Sequence, residues 1–193
     1  MKYLYLDTET TGFIAKGKPL DAKEQPRVVQ FAAILADEKG NEFNSCSLVI
    51  DPEDIVIPDV VAKIHGITTE FAKAYGVSLK FVFELWESLV AKADAIVAHN
   101  SDFDVTMMQI SSYQAGSHPI ELPKQICTMR GSTQIVNLPP TERMIAAGIT
   151  EPKSPSLTEC MQFFFNEKLD GAHDAYADVR ACKRIHLAYM NKE

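Results

Sequence analysis

The sequence lacks the excess of basic residues that is typical of proteins gripping long stretches of nucleic acid. Its 19 lysines and arginines are outnumbered by 26 aspartates and glutamates, which gives a formal net charge of −7. Because neutralisation of phosphates by basic side chains drives most affinity for duplex DNA, this balance excludes an ordinary sequence-specific DNA-binding domain. Any contact with nucleic acid is expected to be local and to involve metal ions.

The chain is also poor in closely spaced cysteines and in long apolar runs. Its four cysteines are far apart and form no C-x-x-C pair, which argues against a zinc ribbon or a thioredoxin-type site. We expect reduced, mostly buried thiols. No apolar run reaches the roughly 18 residues needed to cross a bilayer, and the first residues do not resemble a secretion signal. These features predict a cytoplasmic protein without a membrane partner.

Hydrophobic patterns predict one mixed-sheet α/β domain over residues 1–193. The predicted strands cover residues 2–7, 27–36, 42–50, 95–98 and 125–127. The predicted helices cover residues 59–64, 69–75, 78–93, 102–114, a short stretch ending near 135, 156–167 and 174–191. Residues 136–155 are predicted as a long connection with one helical turn near 143–147. Its basic residues Arg143 and Lys153 are candidates for contacts with phosphates, and the whole segment is a candidate for docking a partner. The alternative is a loop that packs on the surface of the domain without either role.

Two carboxylates stand where the first strand, rich in tyrosine and leucine, comes to its end. Asp7 and Glu9 lie two residues apart, so they point to the same face if strand geometry persists that far. Two like charges 4 Å apart repel by about 4 kcal/mol at an effective dielectric near 20, so such a pair needs water, a proton or a cation. Alternatively, the strand ends at Leu6 and both acids are solvated loop residues.

A third carboxylate lies on the apolar stripe of the last helix. Counting 3.6 residues per turn places Asp178 on the same face as Ala181, Cys182 and Ile185. A carboxylate on a core-facing stripe is costly unless it is paired or binds metal. A buried ion pair with Arg27 is the structural alternative.

Two more acids, Asp102 and Asp104, begin the helix after the fourth strand. Acids are favoured in a first helical turn by the helix dipole, and Asn100 and Ser101 fit N-cap positions. The three acid-bearing segments together offer oxygen ligands, which suit Mg²⁺ or Mn²⁺ better than zinc. Two such ions about 3.5–4 Å apart can clamp the attacking and leaving oxygens of a phosphodiester.

Three short motifs in this order resemble the DEDD family of 3′→5′ exonucleases. They are DTETTG at 7–12, HNSDFD at 99–104 and HDAYAD at 173–178. The last has the H-x-A-x-x-D form of the histidine-bearing branch (DEDDh), which includes the epsilon proofreading subunit of bacterial replicative DNA polymerase. The family often has Glu at the position of Gln30, so this chain departs from the pattern there. The resemblance implies a ribonuclease H-like fold, a five-stranded mixed sheet with helices on both faces.

The resemblance also implies roles for individual residues. Asp7, Glu9, Asp104 and Asp178 would hold two divalent cations, Mg²⁺ or Mn²⁺, and His173 would be the general base. Asp102 is left as a helix-start acid. On a helix, His173 and Asp178 would diverge by about 140°, so we expect His173 in the loop before the helix, next to Gly171; a solvated loop histidine is the alternative.

The same resemblance implies a pocket for the terminal nucleotide. Its predicted lining residues are Thr10, Thr11, Gly12, His65, Gly66, Ile67, Asn100 and Phe103. Alternatively, His65 is an ordinary histidine at a helix end, and Phe103 anchors its helix in the core. We expect His118 and His186 at the surface and Trp86 in the core.

The predicted activity is metal-dependent hydrolysis at a single-stranded or frayed 3′ end, releasing 5′-mononucleotides. The expected partner is nucleic acid with a 3′ end, DNA in preference to RNA, with a polymerase as a further candidate partner. Two alternatives stay open: a 3′-end-trimming exoribonuclease of the same family, and a non-catalytic nucleic-acid-binding module. Loss of a motif acid would mark such a module, and all four acids are present.

Overall fold

The computed structural model describes residues 1–190 of the chain and contains one five-stranded mixed sheet. The strand order is β3-β2-β1-β4-β5. β1 pairs antiparallel with β2 and parallel with β4, β2 pairs antiparallel with β3, and β4 pairs parallel with β5. The strands are β1 (Lys2–Thr10), β2 (Val28–Asp37), β3 (Glu42–Val49), β4 (Ala95–Ala98) and β5 (Lys124–Cys127).

Eight helices accompany the sheet within the described residues. They are α1 (Asp59–His65), α2 (Thr69–Tyr75), α3 (Leu79–Val90), α4 (Ser101–Gln114), α5 (Thr128–Val136), α6 (Glu142–Ala146), α7 (Leu157–Phe165) and α8 (Ala175–Met190). Across residues 1–190, not one helix combines the length and the apolar character that a membrane span requires.

Alternation along β1 divides the core into two layers. The even-numbered Leu4 and Leu6 join a cluster with Trp86 of α3 and Met107 of α4. The odd-numbered Tyr3 and Tyr5 join a second cluster with α8. Since successive side chains on a strand point to opposite faces, Asp7 and Glu9 extend the face that α8 covers.

The predicted elements are confirmed with shifts of a few residues at their ends, and Trp86 is in the core as expected. The boundary that matters most is that of β1, which continues to Thr10. Asp7 pairs with Ala32 and Glu9 with Gln30 of β2. The alternative in which the strand ends at Leu6 is therefore wrong.

Two predictions about histidines have opposite outcomes. His118 is exposed, as expected. The prediction of a surface position for His186 is wrong, because only 1% of this residue is exposed and its Nδ1 lies 3.0 Å from the Tyr5 hydroxyl. The Tyr5 phenol, on the face of the sheet that α8 covers, is hydrogen-bonded to this ring nitrogen, and a helix pattern alone does not reveal such a partner. Residue 191, the predicted end of the last helix, lies outside the described residues.

All four cysteines are free thiols, as expected, and Cys127, Cys160 and Cys182 are buried.

The 136–155 connection contains α6 and is closed by an antiparallel bridge between Leu138 and Lys153. Lys153 also forms an ion pair with Glu159 of α7. Residues 136–155 are thus held to the rest of the domain at their C-terminal end.

Candidate active site

Asp7 and Glu9 lie on β1 and point to the side of the sheet on which α8 packs. Strand pairing with β2 persists through Glu9, and the register shifts only between Glu9 and Thr10. Both side chains therefore keep the strand alternation and point to the same face. This arrangement puts two acids side by side where the strand leaves the core.

Asp104 reaches the same place from the first turn of α4, on the opposite layer. It is only 4% exposed. Its Oδ1 accepts hydrogen bonds from the Thr8 main-chain N–H (3.0 Å) and from the Thr8 hydroxyl (2.8 Å). Because Thr8 lies between Asp7 and Glu9, the strand that carries two of the acids also fixes the third.

Asp178 comes from the first turn of α8 and is also buried, with 7% of the residue exposed. Its Oδ2 accepts a hydrogen bond from the His173 main-chain N–H at 3.1 Å. Its Oδ1 is buried and has no hydrogen-bond partner among residues 1–190. The alternative ion pair with Arg27 is wrong, since that guanidinium lies 3.5 Å from Glu53 instead.

His173 lies outside the helix, as expected, in the loop that precedes α8. Its main chain has a left-handed φ of 69°, and Gly171 nearby has a φ of 73°. The side chain is exposed. Donor atoms of Glu9, His173 and Asp178 lie within 4.8 Å of one another.

Burial, with a smaller contribution from neighbouring charges, raises the pKa values of all four carboxylates. Burial, followed by the charge of Asp104, raises the pKa of Asp7 well above its usual range, although part of the residue surface is still exposed. Burial and the charge of Asp178 raise the pKa of Glu9 to about 8. Burial raises the pKa of Asp104 to about 7 against the lowering effect of the Thr8 hydrogen bonds, and raises that of Asp178 to about 6. Without cations, the site holds protons that ordinary carboxylates release.

These properties fit a divalent-cation site. An unpartnered buried carboxylate oxygen is costly, and a bound cation would satisfy it. The donor set is mostly carboxylate oxygen, which suits Mg²⁺ or Mn²⁺. Asp102, in contrast, is exposed and forms a bidentate ion pair with Arg130, at 2.6 and 3.1 Å. It is a helix-start acid outside the cluster.

The residues expected to bind the terminal nucleotide begin with the turn after β1. The Thr10 hydroxyl donates to the Gly12 carbonyl at 2.8 Å. The Thr11 hydroxyl accepts from the Arg27 main-chain N–H at 2.9 Å. Both hydroxyls therefore stabilise the turn. The main chain of the turn, not these hydroxyls, is then available to a nucleotide beside the acids.

The junction between α1 and α2 forms another part of the predicted pocket. His65 ends α1, and its Nδ1 accepts from the Ile67 N–H at 3.1 Å. Its Nε2 is buried without a partner among the described residues. Burial lowers the pKa of His65. The nearby main chain of Thr10 raises this pKa, and the charge of His173 lowers it further. This places His65 beside the turn after β1 and the His173 loop.

Gly66 adopts φ 77° and caps α1 through a hydrogen bond to Ala62. The Ile67 side chain is 5% exposed and packs with Val29, Ile57 and Ala72. The Ile67 side chain is therefore part of the core.

Asn100 and Phe103 lie at the start of α4. Asn100 occupies the N-cap position of α4, as expected, in a left-handed conformation (φ 72°), but its side chain makes no capping hydrogen bond. Its carbonyl accepts from the Phe103 N–H at 2.9 Å. The half-buried Phe103 ring meets Phe13 edge to face, with centroids 6.5 Å apart.

Sequence reasoning missed several supporting residues. Thr8 was overlooked, although alternation places it opposite the two acids it separates. Gln30 accepts from the Ala175 N–H at 3.2 Å and donates to Asp174 at 3.1 Å, so it ties β2 to the start of α8. His99 bonds to Thr128 and to the Pro155 carbonyl. These are long-range contacts, for which a single sequence carries no signal.

The comparisons with known proteins agree with this geometry. A family model described as an exonuclease, RNase_T, matches residues 4–186. No curated protein matches the chain. Among solved structures, Escherichia coli exonuclease I in complex with a dT13 oligonucleotide is similar, with a TM-score of 0.75, 21% identity, and coverage of 96% of this chain and 40% of that chain. Its zinc-bound complex with single-stranded DNA gives a TM-score of 0.76 at 20% identity, covering 100% of this chain and 41% of that one.

The chain thus spans about two-fifths of the length of the exonuclease I structures that it matches. At this level of identity the likeness establishes the fold, a five-stranded mixed sheet with helices of the ribonuclease H-like exonuclease type. The family match covers nearly the whole chain, and the protein therefore belongs to the RNase_T exonuclease family.

Proposed function

We propose that this protein is a divalent-metal-dependent 3′→5′ exonuclease that cleaves phosphodiester bonds at the 3′ end of single-stranded or frayed DNA and releases 5′-mononucleotides. The observation that carries the proposal is the convergence of the partly buried acids of β1 with the buried acids of α4 and α8, one Asp178 oxygen being unsatisfied. A cluster of this kind has no evident structural purpose without cations.

In this proposal, Asp7, Glu9, Asp104 and Asp178 would hold two Mg²⁺ or Mn²⁺ ions. When bound, such ions would activate a water molecule and stabilise the charge that develops on the phosphate. Thr8 orients Asp104 through its two hydrogen bonds. The main-chain N–H of His173 orients Asp178.

His173 takes the proton from the attacking water as general base. Its ring lies near Glu9 and Asp178 but is exposed, so it is free to exchange the proton with solvent after each cycle. Histidine suits this task because it titrates close to neutral pH. The turn after β1, the α1–α2 junction, Asn100 and Phe103 would surround the terminal nucleotide.

DNA is the proposed substrate because the similar exonuclease I structures contain dT13 and single-stranded DNA. We further propose that residues 1–193 act as one exonuclease domain, which the single sheet and the extent of the family match support. A polymerase partner and a cytoplasmic location stay predictions from the sequence.

Time-resolved digestion of 5′-labelled DNA and RNA oligonucleotides tests this function. With Mg²⁺ or Mn²⁺, the labelled DNA should shorten from its 3′ end, and chromatography should detect 5′-mononucleotides. Excess EDTA should stop the reaction. Faster digestion of RNA would support the RNA-trimming alternative, and binding without cleavage of either polymer would support the non-catalytic module.

A further inference from the structure

The connection between β1 and β2 is a long but well-fastened loop, residues 11–27. Hairpin connections usually have about 2–5 residues, and longer ordered ones are often functional. Thr11 and Arg27 close its neck through two hydrogen bonds of 2.9 Å. Inside the loop, the buried Gln25 accepts from the Ala15 N–H at 3.0 Å and donates to the Pro19 carbonyl at 3.0 Å. The loop is therefore a fixed surface next to the acid cluster.

A groove of about 720 Å³ runs between this loop and the end of α4. Thr11, Gly12 and Phe13 line it, so the groove adjoins the proposed terminal-nucleotide pocket. Tyr113 and Gln114 of α4 also line it. Its volume is in the usual range of 300–1,000 Å³ for ligand sites.

The loop is basic in an otherwise acidic protein. Residues 11–27 contain four basic and two acidic side chains, whereas the whole chain carries −7. Glu24 is neutralised by Lys18 at 3.2 Å. Lys23 lines the groove, is exposed, and forms no ion pair with any described residue. Asp21 also lines the groove, and Arg27 there is paired with Glu53, so Lys23 is the lining cation left for an anionic ligand.

Aromatic rings also face the groove. Phe13 is 91% exposed, and Tyr113 is 38% exposed. A single exposed aromatic residue is ordinary at a protein surface, but here two of them line one groove. Aromatic faces beside basic side chains are the combination that single-stranded nucleic acids require, because bases stack on the rings while phosphates meet the cations.

We propose that this groove binds the nucleotides immediately 5′ of the terminal one in a single strand, with Lys23 at a phosphate and Tyr113 under a base. The proposal rests on the proposed exonuclease function and extends it from one nucleotide to the next few. The aromatic and cationic side chains come from two separate elements, the β1–β2 loop and α4, which are joined by a hydrogen bond of 3.0 Å from the Gln114 amide to the Pro26 carbonyl.

The test compares substrates of different lengths on the purified chain with Mg²⁺ or Mn²⁺. The p-nitrophenyl ester of thymidine 5′-monophosphate covers only the acid cluster, whereas dT2, dT4 and dT8 extend progressively into the groove. For the unaltered protein, kcat/KM should rise from dT2 to dT4. Tyr113→Ala should lower kcat/KM on dT4 and dT8 by at least about five-fold, the low end for loss of one stacked base, and should leave ester hydrolysis unchanged.

Lys23→Gln is measured through salt dependence. If Lys23 contacts one phosphate, the slope of log KM for dT8 against log salt concentration should fall by about 0.7 relative to the unaltered protein. Lys80→Gln is the matched control, because Lys80 is exposed on α3, which contributes no residue to the groove. Equal slopes for both variants, with no length-dependent effect of Tyr113→Ala, would overturn the groove. Failure to hydrolyse even the ester would instead overturn the proposed function.

Discussion

Asp104 and Asp178 reach the same site from opposite layers of the molecule, and the chain holds them in different ways. Asp104 accepts two hydrogen bonds on one oxygen, both from Thr8 of the central strand. Asp178 accepts one hydrogen bond, from the main chain of His173 in a loop, and its other oxygen has no partner among the described residues.

The difference indicates a division of labour. Asp104 is fixed by the sheet, so its position does not depend on any loop. Asp178 is joined to the segment that carries His173, where two residues, Gly171 and His173, have left-handed backbone. One side of the site is therefore anchored to the sheet, and the other links a proposed metal ligand to the proposed base. Substitutions on the two sides should have different consequences.

The largest effects are expected from removing either charge. Asp104→Asn and Asp178→Asn keep an acceptor oxygen but lose the carboxylate, so each should lower kcat on a DNA oligonucleotide by at least about 10³-fold through weakened cation binding. Asp102→Asn is the matched control, since Asp102 is exposed and paired with Arg130. Its kcat should stay within about two-fold. A variant at 104 or 178 that kept a tenth of the activity would remove that acid from the metal site.

Replacing the base should spare metal binding. His173→Ala should lower kcat by about 10²–10⁴-fold, the usual contribution of a general base. The Mn²⁺ affinity should stay near that of the unaltered protein, because the main-chain N–H that holds Asp178 is retained. His118→Ala, at an exposed histidine, is the control. A change in kcat below three-fold would show that another group takes the proton.

The side anchored to the sheet is tested through Thr8. Thr8→Val removes the hydroxyl that donates to Asp104 but keeps the main-chain donor and the shape of the side chain. Loss of such a supporting contact typically costs 10–100-fold in metal affinity or activity. Thr133→Val is a suitable comparison, since that hydroxyl donates to a helix carbonyl in α5. Equal Mn²⁺ affinities in the two variants would contradict the role of Thr8.

The smallest effect concerns stability and pH. Glu9 and Asp104 have pKa values of about 8 and 7 in the folded protein, above their ordinary values. The folded state then binds more protons than the unfolded state, so stability decreases as pH rises through these values. Burial lowers the pKa of His186 to about 4, so this residue makes stability increase as pH rises. That increase is complete once the pH exceeds the ordinary histidine pKa of about 6.5.

Between pH 7 and 9, the Tm of the metal-free protein should therefore fall. Each 1 kcal/mol corresponds to about 2–4 °C for a chain of this size. Saturating Mg²⁺ should raise Tm and flatten the dependence, because bound cations keep the carboxylates ionised. A Tm that rises with pH in this window without metal would contradict the cluster of raised pKa values.

The sequence predicts the scaffold well because its signals are local. Alternation, apolar stripes and the Ser78 cap define β1, α3 and α8 before any contact is known, and Ser78 indeed accepts from the Phe81 N–H. Asp178 was found on the core-facing stripe for the same reason. These features depend on neighbours within one turn or one strand.

The supporting contacts of the site could not be predicted in this way. Thr8 and Asp104 are separated by 96 residues, and Gln30 and Ala175 by 145. Tyr5 and His186 are 181 residues apart, and their contact is what buries a histidine expected at the surface. Such pairs follow from how β1, β2 and α8 are packed, which periodicity does not encode.

The most direct test of the central claim is a calorimetric titration of the metal-free protein with Mn²⁺, alongside Asp7→Asn. The account predicts two ions per chain for the unaltered protein, and for the variant a marked loss of affinity together with loss of DNA cleavage. No Mn²⁺ binding by the unaltered protein, or full cleavage in excess EDTA, would contradict the claim that these four carboxylates form a two-cation site.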